Sequence, residues 1–332
     1  NDDMVTYQIK RYNMIKNSNN EIKTIHAHNL HSKAIITEYE NYITVFVLDI
    51  NGNYSIKIKK NNIYEIKSCC KKKNQFSCNT IRADGQSNDC GCDFMESRPD
   101  KNPVAKETAS MSTTDFTFGD IVRQYDLVFG LTSGFKAIYG NNVSDIWNRL
   151  VHIINIINLI YQNNFSCYFL LNQTHQEAII NSTTFDNVTS DNIEDFTGKF
   201  NTVLSSYGGS SEYDIGHVLG HILSTGIGGL AYLNSLCSTT NKGAAWTSED
   251  VTDDQQFIVD YLCHELGHQF GCNHIHQNCN ATTTSNFEPG SGSTIMSYAG
   301  ICSPNIQGDS DPYFNRYNIW EAKQHIESTS CG

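Results

Sequence analysis

The feature that most constrains this chain is the eleven-residue segment HELGHQFGCNH at positions 264–274. His264 and His268 stand four positions apart, so on a helix both imidazoles project from the same face and can share one metal ion. Gly271 can adopt a left-handed backbone conformation, which ends the helix and lets His274 arrive as a third nitrogen donor. Three imidazoles that leave one position open are typical of a catalytic zinc site rather than a structural one.

Glu265 follows the first of these histidines, and we expect its carboxylate to lie beside the metal rather than on it. Zinc lowers the pKa of a water molecule that it binds, and it polarises a carbonyl oxygen. A carboxylate next to that water can take its proton and pass it to a leaving amine. The segment therefore predicts zinc-dependent hydrolysis of an amide bond, with Glu265 as the general base.

This segment resembles the metzincin zinc endopeptidases. A second segment, STIMSY at positions 293–298, is similar to the methionine turn of that clan, so Met296 would pack beneath the imidazoles without binding zinc. The resemblance covers roughly residues 120–332 and implies a metzincin catalytic domain of the α/β class. Such a domain has a mixed twisted sheet with long helices, a zinc helix and a Met-turn.

The order YDIGHVL at 213–219, then GLAY, then a cysteine before the zinc helix resembles the reprolysin (adamalysin) branch. In that branch the segment equivalent to Gly229, Leu230, Ala231 and Tyr232 is an edge strand that pairs with an extended substrate. An exposed strand edge offers its N–H and C=O groups to a peptide backbone, which is β-augmentation. Without the resemblance, this apolar segment would be interpreted as a core strand.

The chain departs from the branch at two positions. Reprolysins place an aspartate directly after the third histidine, where this chain has Ile275. Tyr298, two residues after the turn methionine, looks more like the astacin and serralysin branches. There, such a tyrosine can be a fifth ligand that also stabilises the oxyanion; the alternative is a packed aromatic that supports the loop. These departures favour a bacterial-type, reprolysin-like peptidase.

Cysteine usage bears on the compartment. The chain has 12 cysteines and no CxxC pair, which favours disulfides and an oxidising, extracytoplasmic setting. By the resemblance, Cys237 would pair with a cysteine near the C-terminus, which here is Cys331, and Cys279 and Cys302 are a second plausible pair. We therefore expect a secreted protein.

A shift in charge predicts two domains. Residues 1–115 carry 16 basic and 14 acidic side chains, whereas residues 116–332 carry 7 and 21. The Pro-, Ser- and Thr-rich stretch between positions 88 and 117 shows no periodicity. We expect a β-rich domain with a Cys-rich linker at 1–118 and the peptidase domain at 119–332.

Local patterns predict the elements of both halves. Positions 42–48 and 54–59 flank an Asn-Gly-containing turn and predict a hairpin, whereas positions 68–92 are interpreted as a loop. In the second half we expect helices at about 145–161, 193–204 and 254–270, the first of them capped by Ser144. Strands are expected at 167–171, 213–219 and 229–233.

Many metzincins are made with an N-terminal propeptide that blocks the zinc, and we expect the first half of this chain to be pro-region-like or accessory. A thiolate is a strong zinc ligand, so Cys90 or Cys92, in the segment DCGCD, could occupy the open position until it is removed. The alternative is that both are disulfide-bonded or bind nothing, because one free thiol among twelve cysteines leaves another unpaired. The possible cleavage points are the basic tract Lys71, Lys72 and Lys73, and Arg82, Arg98 and Lys106.

Composition limits the partners. The net charge of -12 disfavours a nucleic-acid binder, and no stretch reaches the roughly 20 apolar residues that span a bilayer. We expect protein or peptide substrates and a monomer. Asp309 and Asp311 are a weak indication of calcium. His217, His221 and His276 are interpreted as structural or exposed. The rival function is a binding or adhesion module that retains the peptidase fold, which the presence of Glu265 disfavours.

Overall fold

The structure is a computed structural model, and it describes most of the second half of the chain and the strands of the first half. The described residues are 8–12, 15–16, 23–28, 32–39, 42–49, 54–59, 64–68, 77–81, 87–88, 121–221, 227–277 and 286–332. The predicted boundary at 118/119 and the candidate switch residues Cys90 and Cys92 lie outside them, so both stay predictions.

The described residues form strands in both halves and helices in the second. The strands are β1 (Gln8–Tyr12), β2 (Ile15–Lys16), β3 (Lys23–His28), β4 (Ser32–Glu38), β5 (Tyr42–Asp49), β6 (Tyr54–Lys59), β7 (Tyr64–Ser68), β8 (Ser77–Ile81), β9 (Ser87–Asn88), β10 (Arg123–Leu131), β11 (Cys167–Asn172), β12 (Ile215–His221), β13 (Ile227–Tyr232) and β14 (Ala245–Glu249). The α-helices are α1 (Ser133–Ile138), α2 (Val143–Phe165), α3 (Gln173–Ile180), α4 (Phe196–Val203), α5 (Cys263–Gln269) and α6 (Arg316–Ser328). A π-helical segment, Asp254–Leu262, runs directly into α5, and 3₁₀ turns cover Ser190–Asp195 and Gly209–Glu212.

A six-stranded antiparallel sheet lies in the first half. Its strand order is β1-β3-β4-β5-β6-β7, and we call it the N-terminal sheet. The predicted hairpin is confirmed, since β5 pairs antiparallel with β6 and Val45 lies opposite Ile56. β-Branched and aromatic side chains suit such a pleated, half-buried surface.

The second sheet has eight strands in the order β2-β11-β10-β12-β14-β13-β8-β9. The strands β11, β10, β12 and β14 are parallel, β13 is antiparallel to β14, and β8 is parallel to β13. Three of the eight strands therefore come from the first half of the chain. The interpretation of residues 68–92 as a loop was wrong, because β8 and β9 lie within it.

The helix α2 packs on this sheet and fills the main core. It begins after Asn142, whose side chain accepts a hydrogen bond from the Asp145 N–H at 3.1 Å, so the predicted cap at Ser144 was wrong by two residues. The predicted apolar side is confirmed: the side chains of Ile146, Leu150, Ile153, Ile154, Ile157 and Ile160 are all buried. Buried Asn158 bonds the Phe169 N–H and C=O of β11, which fixes the helix to the sheet.

Candidate metal centre and the strand edge beside it

The predicted zinc helix is the π-helical segment followed by α5. Asp253 begins it by accepting hydrogen bonds from the Gln255 and Gln256 N–H groups at 3.1 and 3.2 Å. Each residue of α5 is buried, because the helix runs through the core beneath β13 and β14. Gly271 has φ +94°, and a Cβ there would lie 2.5 Å from Asn234 Oδ1. The predicted left-handed glycine is therefore present, and the position requires it.

The three histidines converge. The Nε2 atom of His274 lies 2.9 Å from His264 Nε2 and 3.1 Å from His268 Nε2. A tetrahedral zinc ion with Zn–N bonds of about 2.0–2.1 Å separates two ligand nitrogens by about 3.3 Å. Among the described residues, these three histidines are the group of side chains that could hold a metal ion. Their spacing fits zinc.

The second nitrogen of two rings fixes the tautomer. His264 Nδ1 donates to the Ile295 carbonyl at 2.6 Å, and His268 Nδ1 donates to the Cys272 carbonyl at 2.7 Å. Each Nε2 therefore keeps its lone pair for a metal. Burial lowers the pKa of His268 to about 4, although its bond to Cys272 acts in the opposite direction. Burial, together with the neighbouring histidines, lowers the pKa of His274 well below its ordinary value. Neutral rings are the form that binds metal.

Met296 lies directly against the helix that carries the triad. Its side chain is fully buried, and a Cβ on Gly267 would lie 2.5 Å from the Met296 Sδ atom. The preceding residue, Ile295, supplies the carbonyl that His264 bonds. This is the arrangement that the resemblance implies for a Met-turn.

Tyr298 is buried against the triad. Its ring centroid lies 4.8 Å from that of His274 and 6.0 Å from that of His264. It also stacks on His276 at 4.3 Å, and His276 is fully buried. The ring is close enough to serve in either predicted role, as oxyanion donor or as packed support.

The Glu265 side chain packs against Gly229 of β13. A Cβ on Gly229 would lie 2.5 Å from Glu265 Cγ and from Glu265 Oε1, so only glycine lets β13 approach this carboxylate. A Cβ on Gly228 would overlap the Tyr261 ring in the same way. The two glycines are therefore required by the helix on which β13 packs.

The outer edge of β13 is covered by β8. The strand β13 has β14 on one side and β8 on the other, and Gly229, Leu230, Ala231 and Tyr232 each pair with a residue of β8. The edge at which we expect a substrate to bind therefore accepts an extended strand, and here that strand belongs to the same chain. Beside the triad, a cavity of about 10 Å³ lined by His264, Tyr298 and Ile301 holds no more than about one water molecule.

Residues 121–319 match the family described as "Metallo-peptidase family M12B Reprolysin-like". The chain belongs to this family. Its members use zinc, which the histidine triad could bind, so the chain is a zinc metalloendopeptidase, and the predicted reprolysin-like branch is confirmed. We found no match among curated proteins.

A crystal structure of metalloproteinase-II from Bacteroides fragilis is similar in fold. It has a TM-score of 0.50 and 13% sequence identity, and the match covers 96% of this chain and 86% of that chain. The similarity therefore includes residues of the first half. The predicted α/β metzincin fold with a β-rich N-terminal region is confirmed.

Residues that the motif did not reveal hold the third histidine of this reprolysin-like metallopeptidase in place. Glu321 on α6 accepts hydrogen bonds from the Asn273 N–H at 3.0 Å and the Asn273 side-chain amide at 2.7 Å. Asn318 donates to the Asn273 carbonyl at 2.8 Å. Burial raises the pKa of Glu321 to about 7, and the bonds from Asn273 and Asn318 oppose that rise. We call these bonds of Glu321 and Asn318 to Asn273 the clamp, and they hold the residue directly before His274.

The departure at Ile275 also has a structural reason. Its side chain is fully buried, and its carbonyl accepts hydrogen bonds from the Phe287 and Glu288 N–H groups at 2.9 Å. Glu288 in turn accepts bonds from the N–H groups of Ser293 and Thr294, at the start of the Met-turn segment. An apolar residue after the third histidine therefore fits the core of this chain.

Outside the triad, the structure can be compared with the predictions for His217 and for the two disulfides. His217 is buried between Gln269 and Thr247, at 3.0 and 2.8 Å, which is a structural role. The Cys237–Cys331 disulfide is confirmed. Cys302 is disulfide-bonded, and its predicted partner, Cys279, lies outside the described residues.

Calcium gains no support, since Asp309 and Asp311 form no metal-binding group among the described residues. None of the described helices combines the length and apolar character needed to cross a bilayer.

Proposed function

We propose that this chain is a secreted, latent zinc endopeptidase in which Glu265 is the general base. The observation that carries the proposal is the convergence of the Nε2 atoms of the three histidines beside a buried helix. On that helix, Glu265 packs against Gly229 of β13. A zinc ion held by His264, His268 and His274 would supply Lewis-acid polarisation of the scissile carbonyl.

Side chains of the protein would transfer the proton and orient the metal ligands. Glu265, held beside Gly229, takes a proton from the attacking water and passes it to the leaving nitrogen. The Nδ1 bonds to Ile295 and Cys272 keep two ligand rings oriented. Tyr298 either donates to the developing oxyanion or packs as support, and a Tyr298→Phe variant separates the two, because only the first role lowers kcat.

The substrate would pair with β13. Its backbone groups are the ones that β8 engages along Gly229 to Tyr232, so an extended peptide would compete for the same edge. Protein and peptide segments without fixed structure are therefore the substrate class that this edge suits.

Latency is supported by the position of β8. With this strand paired to β13, an extended substrate has no free edge to join. We propose that the first half, as a pro-region-like or accessory domain, keeps the enzyme latent, and that Cys90 or Cys92 adds a zinc ligand in the latent form. The proposed domains are 1–118 and 119–332. Secretion is supported by the Cys237–Cys331 disulfide, because such bonds persist in oxidising compartments.

The test is cleavage of a quenched generic protein substrate, before and after limited trypsin treatment, with and without a chelator. Glu265→Gln should lower kcat by about 10²–10⁴-fold while bound zinc stays at the wild-type level. Glu327→Gln, an exposed carboxylate on α6, is the matched control and should change neither. A Glu265→Gln variant that retains wild-type kcat would refute the general base. A trypsin-treated wild type without activity, despite full zinc, would favour the binding module.

A further inference from the structure

Among the described residues, the first half of the chain contacts the second half through the two-residue pairing of β2 with β11 and through two further contacts. One is the β8–β13 pair at the strand edge beside Glu265. The other is the contact between the N-terminal sheet and α2, where Tyr39 Oη donates to the Asn148 carbonyl at 2.9 Å and Asn155 Nδ2 donates to Thr37 Oγ1 at 2.7 Å. The two contacts differ in what stabilises them.

The contact on α2 resembles a protein core. Ile35, Tyr39 and Phe46 of the first half belong to the same cluster of buried side chains as α2 and the zinc helix. The side chains of Thr37 and Asn155 are both fully buried, so the hydrogen bond between them lies out of reach of water. Separating the two parts would expose this apolar surface and leave polar groups without partners.

The helix α2 itself requires a cover on this side. Every residue from 151 to 161 is buried, whereas a helix on the surface of a globular protein keeps one polar, exposed face. The sequence of this stretch, VHIINIINLIY, is apolar on more than one side. The sheet with β11 buries one face of α2, and the N-terminal sheet buries another.

A polar chain extends the contact to the zinc helix. His152 Nε2 donates to Asp254 Oδ2 at 2.9 Å, and Arg149 donates to Asp254 Oδ1 at 2.6 Å. The other ring nitrogen of His152, Nδ1, lies within hydrogen-bond distance of the Thr44 hydroxyl of β5, at 3.2 Å. Asp254 is the first residue of the π-helical segment that leads into α5. The N-terminal sheet thus contributes to the support of the metal-binding helix.

The contact at the strand edge is of a different kind, because it is made by backbone pairing of β8 with β13. The strand β8 has five residues. A strand this short stays paired more readily when a tether keeps its local concentration high. The tether on one side is the segment 69–76, which joins β8 to the docked sheet, and on the other it is the segment that leads to β10.

We propose that the N-terminal sheet is a permanent, non-covalently bound subunit of the active enzyme, and that only the segment around β8 is the removable inhibitor. A single cut between β9 and β10 leaves β8 attached to the docked sheet, so the edge stays covered. Release of β8 requires a second cut in the segment 69–76, which contains Lys71, Lys72 and Lys73. This inference rests on the proposed function, since it describes the regulation of the same site.

The test uses the full chain with recognition sequences for a site-specific protease. One variant carries the sequence at 71–73, a second at 98–106 and a third at both positions. All carry Cys69→Ser and Cys70→Ser, so no disulfide can hold residues 1–70. After cleavage, size-exclusion chromatography with mass analysis shows which fragments stay together, and hydrolysis of the quenched substrate is measured on the same fractions.

We expect residues 1–70 to co-elute with the peptidase domain in every cleaved variant. Activity should appear with the double cut and stay at least about 10-fold lower with either single cut. Separation of residues 1–70 from the peptidase domain, or full activity after the 98–106 cut alone, would overturn the inference. If the β8 fragment leaves after the double cut and no activity appears, the proposed peptidase function fails while the docked subunit stands.

A matched pair on one strand tests the interface directly. Thr37→Val removes the hydroxyl that Asn155 bonds and should shorten the retention of residues 1–70 after cleavage by about 5- to 100-fold. Glu38→Ala, at the next residue of β4, removes an exposed side chain and should leave retention unchanged. Equal retention in the two variants would show that the contact on α2 does not hold the sheet.

Discussion

The histidine triad and the β13 edge lie side by side at Glu265, yet they are built in opposite ways. The triad comes from eleven consecutive residues, so one helix face and the turn at Gly271 bring its nitrogens together. The edge is assembled from β13 and β14, which follow each other in the second half, and from β8, which lies in the first half of the sequence. The metal-binding residues are therefore specified by one short segment, whereas the access of a substrate to them depends on strands that are distant in the sequence.

The largest effect is expected where the two regions touch. Gly229→Val places a side chain on Glu265, so we expect β13 or the carboxylate to shift, with a loss of about 100-fold or more in kcat/KM after activation. Initial rates and chemical unfolding of the variant check this.

Gly198 of α4 offers a matched control, because it is exposed and a Cβ there meets nothing within 4 Å. Gly198→Ala should keep wild-type activity and raise the free energy of unfolding by up to about 1 kcal/mol. If Gly229→Val is as active as Gly198→Ala, the two regions are not coupled through this glycine.

A smaller effect is expected from the clamp on the triad. Glu321→Ala removes the acceptor for the Asn273 N–H and side chain, so we expect zinc affinity to fall about 10- to 100-fold. Competition with a chromophoric chelator measures this. Glu327→Ala on the same helix should bind zinc as the wild type does. Unchanged affinity in Glu321→Ala would mean that the eleven-residue segment forms the site without help from α6.

The smallest effect concerns the sheet behind the zinc helix. Burial lowers the pKa of His217 to about 4, although its bond to Gln269 acts in the opposite direction. The unfolded chain, with a histidine pKa near 6.5, therefore binds more protons than the folded chain between about pH 6.5 and 4. Stability should fall as the pH drops through that window, by about 1 kcal/mol between pH 7 and 5.5 from this residue.

The variant His217→Gln keeps a polar side chain and removes this titration. Urea unfolding at the two pH values should show a pH-dependent loss about 1 kcal/mol smaller than in the wild type. An equal loss in both proteins would place the acid sensitivity elsewhere, for instance at the triad.

The local part of the structure could be predicted from the sequence. The spacing of His264, His268 and His274 encodes a shared helix face and a glycine stop, and the resemblance added Met296. The hairpin of β5 and β6 was equally readable, because β-branched residues and an Asn-Gly turn specify it without help from the rest of the chain.

The long-range part could not be predicted. The residues Ser-Cys-Asn-Thr-Ile of β8 have no clear alternation, and they form a strand because their backbone pairs with β13. Glu321 belongs to an ordinary amphipathic helix, and nothing in its neighbours announces a hydrogen bond to Asn273. Both depend on which segments meet in space, and that information is distributed over the whole sequence.

The clamp by α6 has a consequence for how the site comes into being. Asn273 is gripped by Glu321 and Asn318, and the chain beyond α6 is cross-linked to the middle of the domain through Cys331. During synthesis, the polypeptide can contain all three histidines before Glu321 and Asn318 are present to bond Asn273. Zinc affinity would then reach its final value only after residues 316–331 have been synthesised and have docked on the domain. Hydrolysis by an incompletely synthesised enzyme is therefore disfavoured.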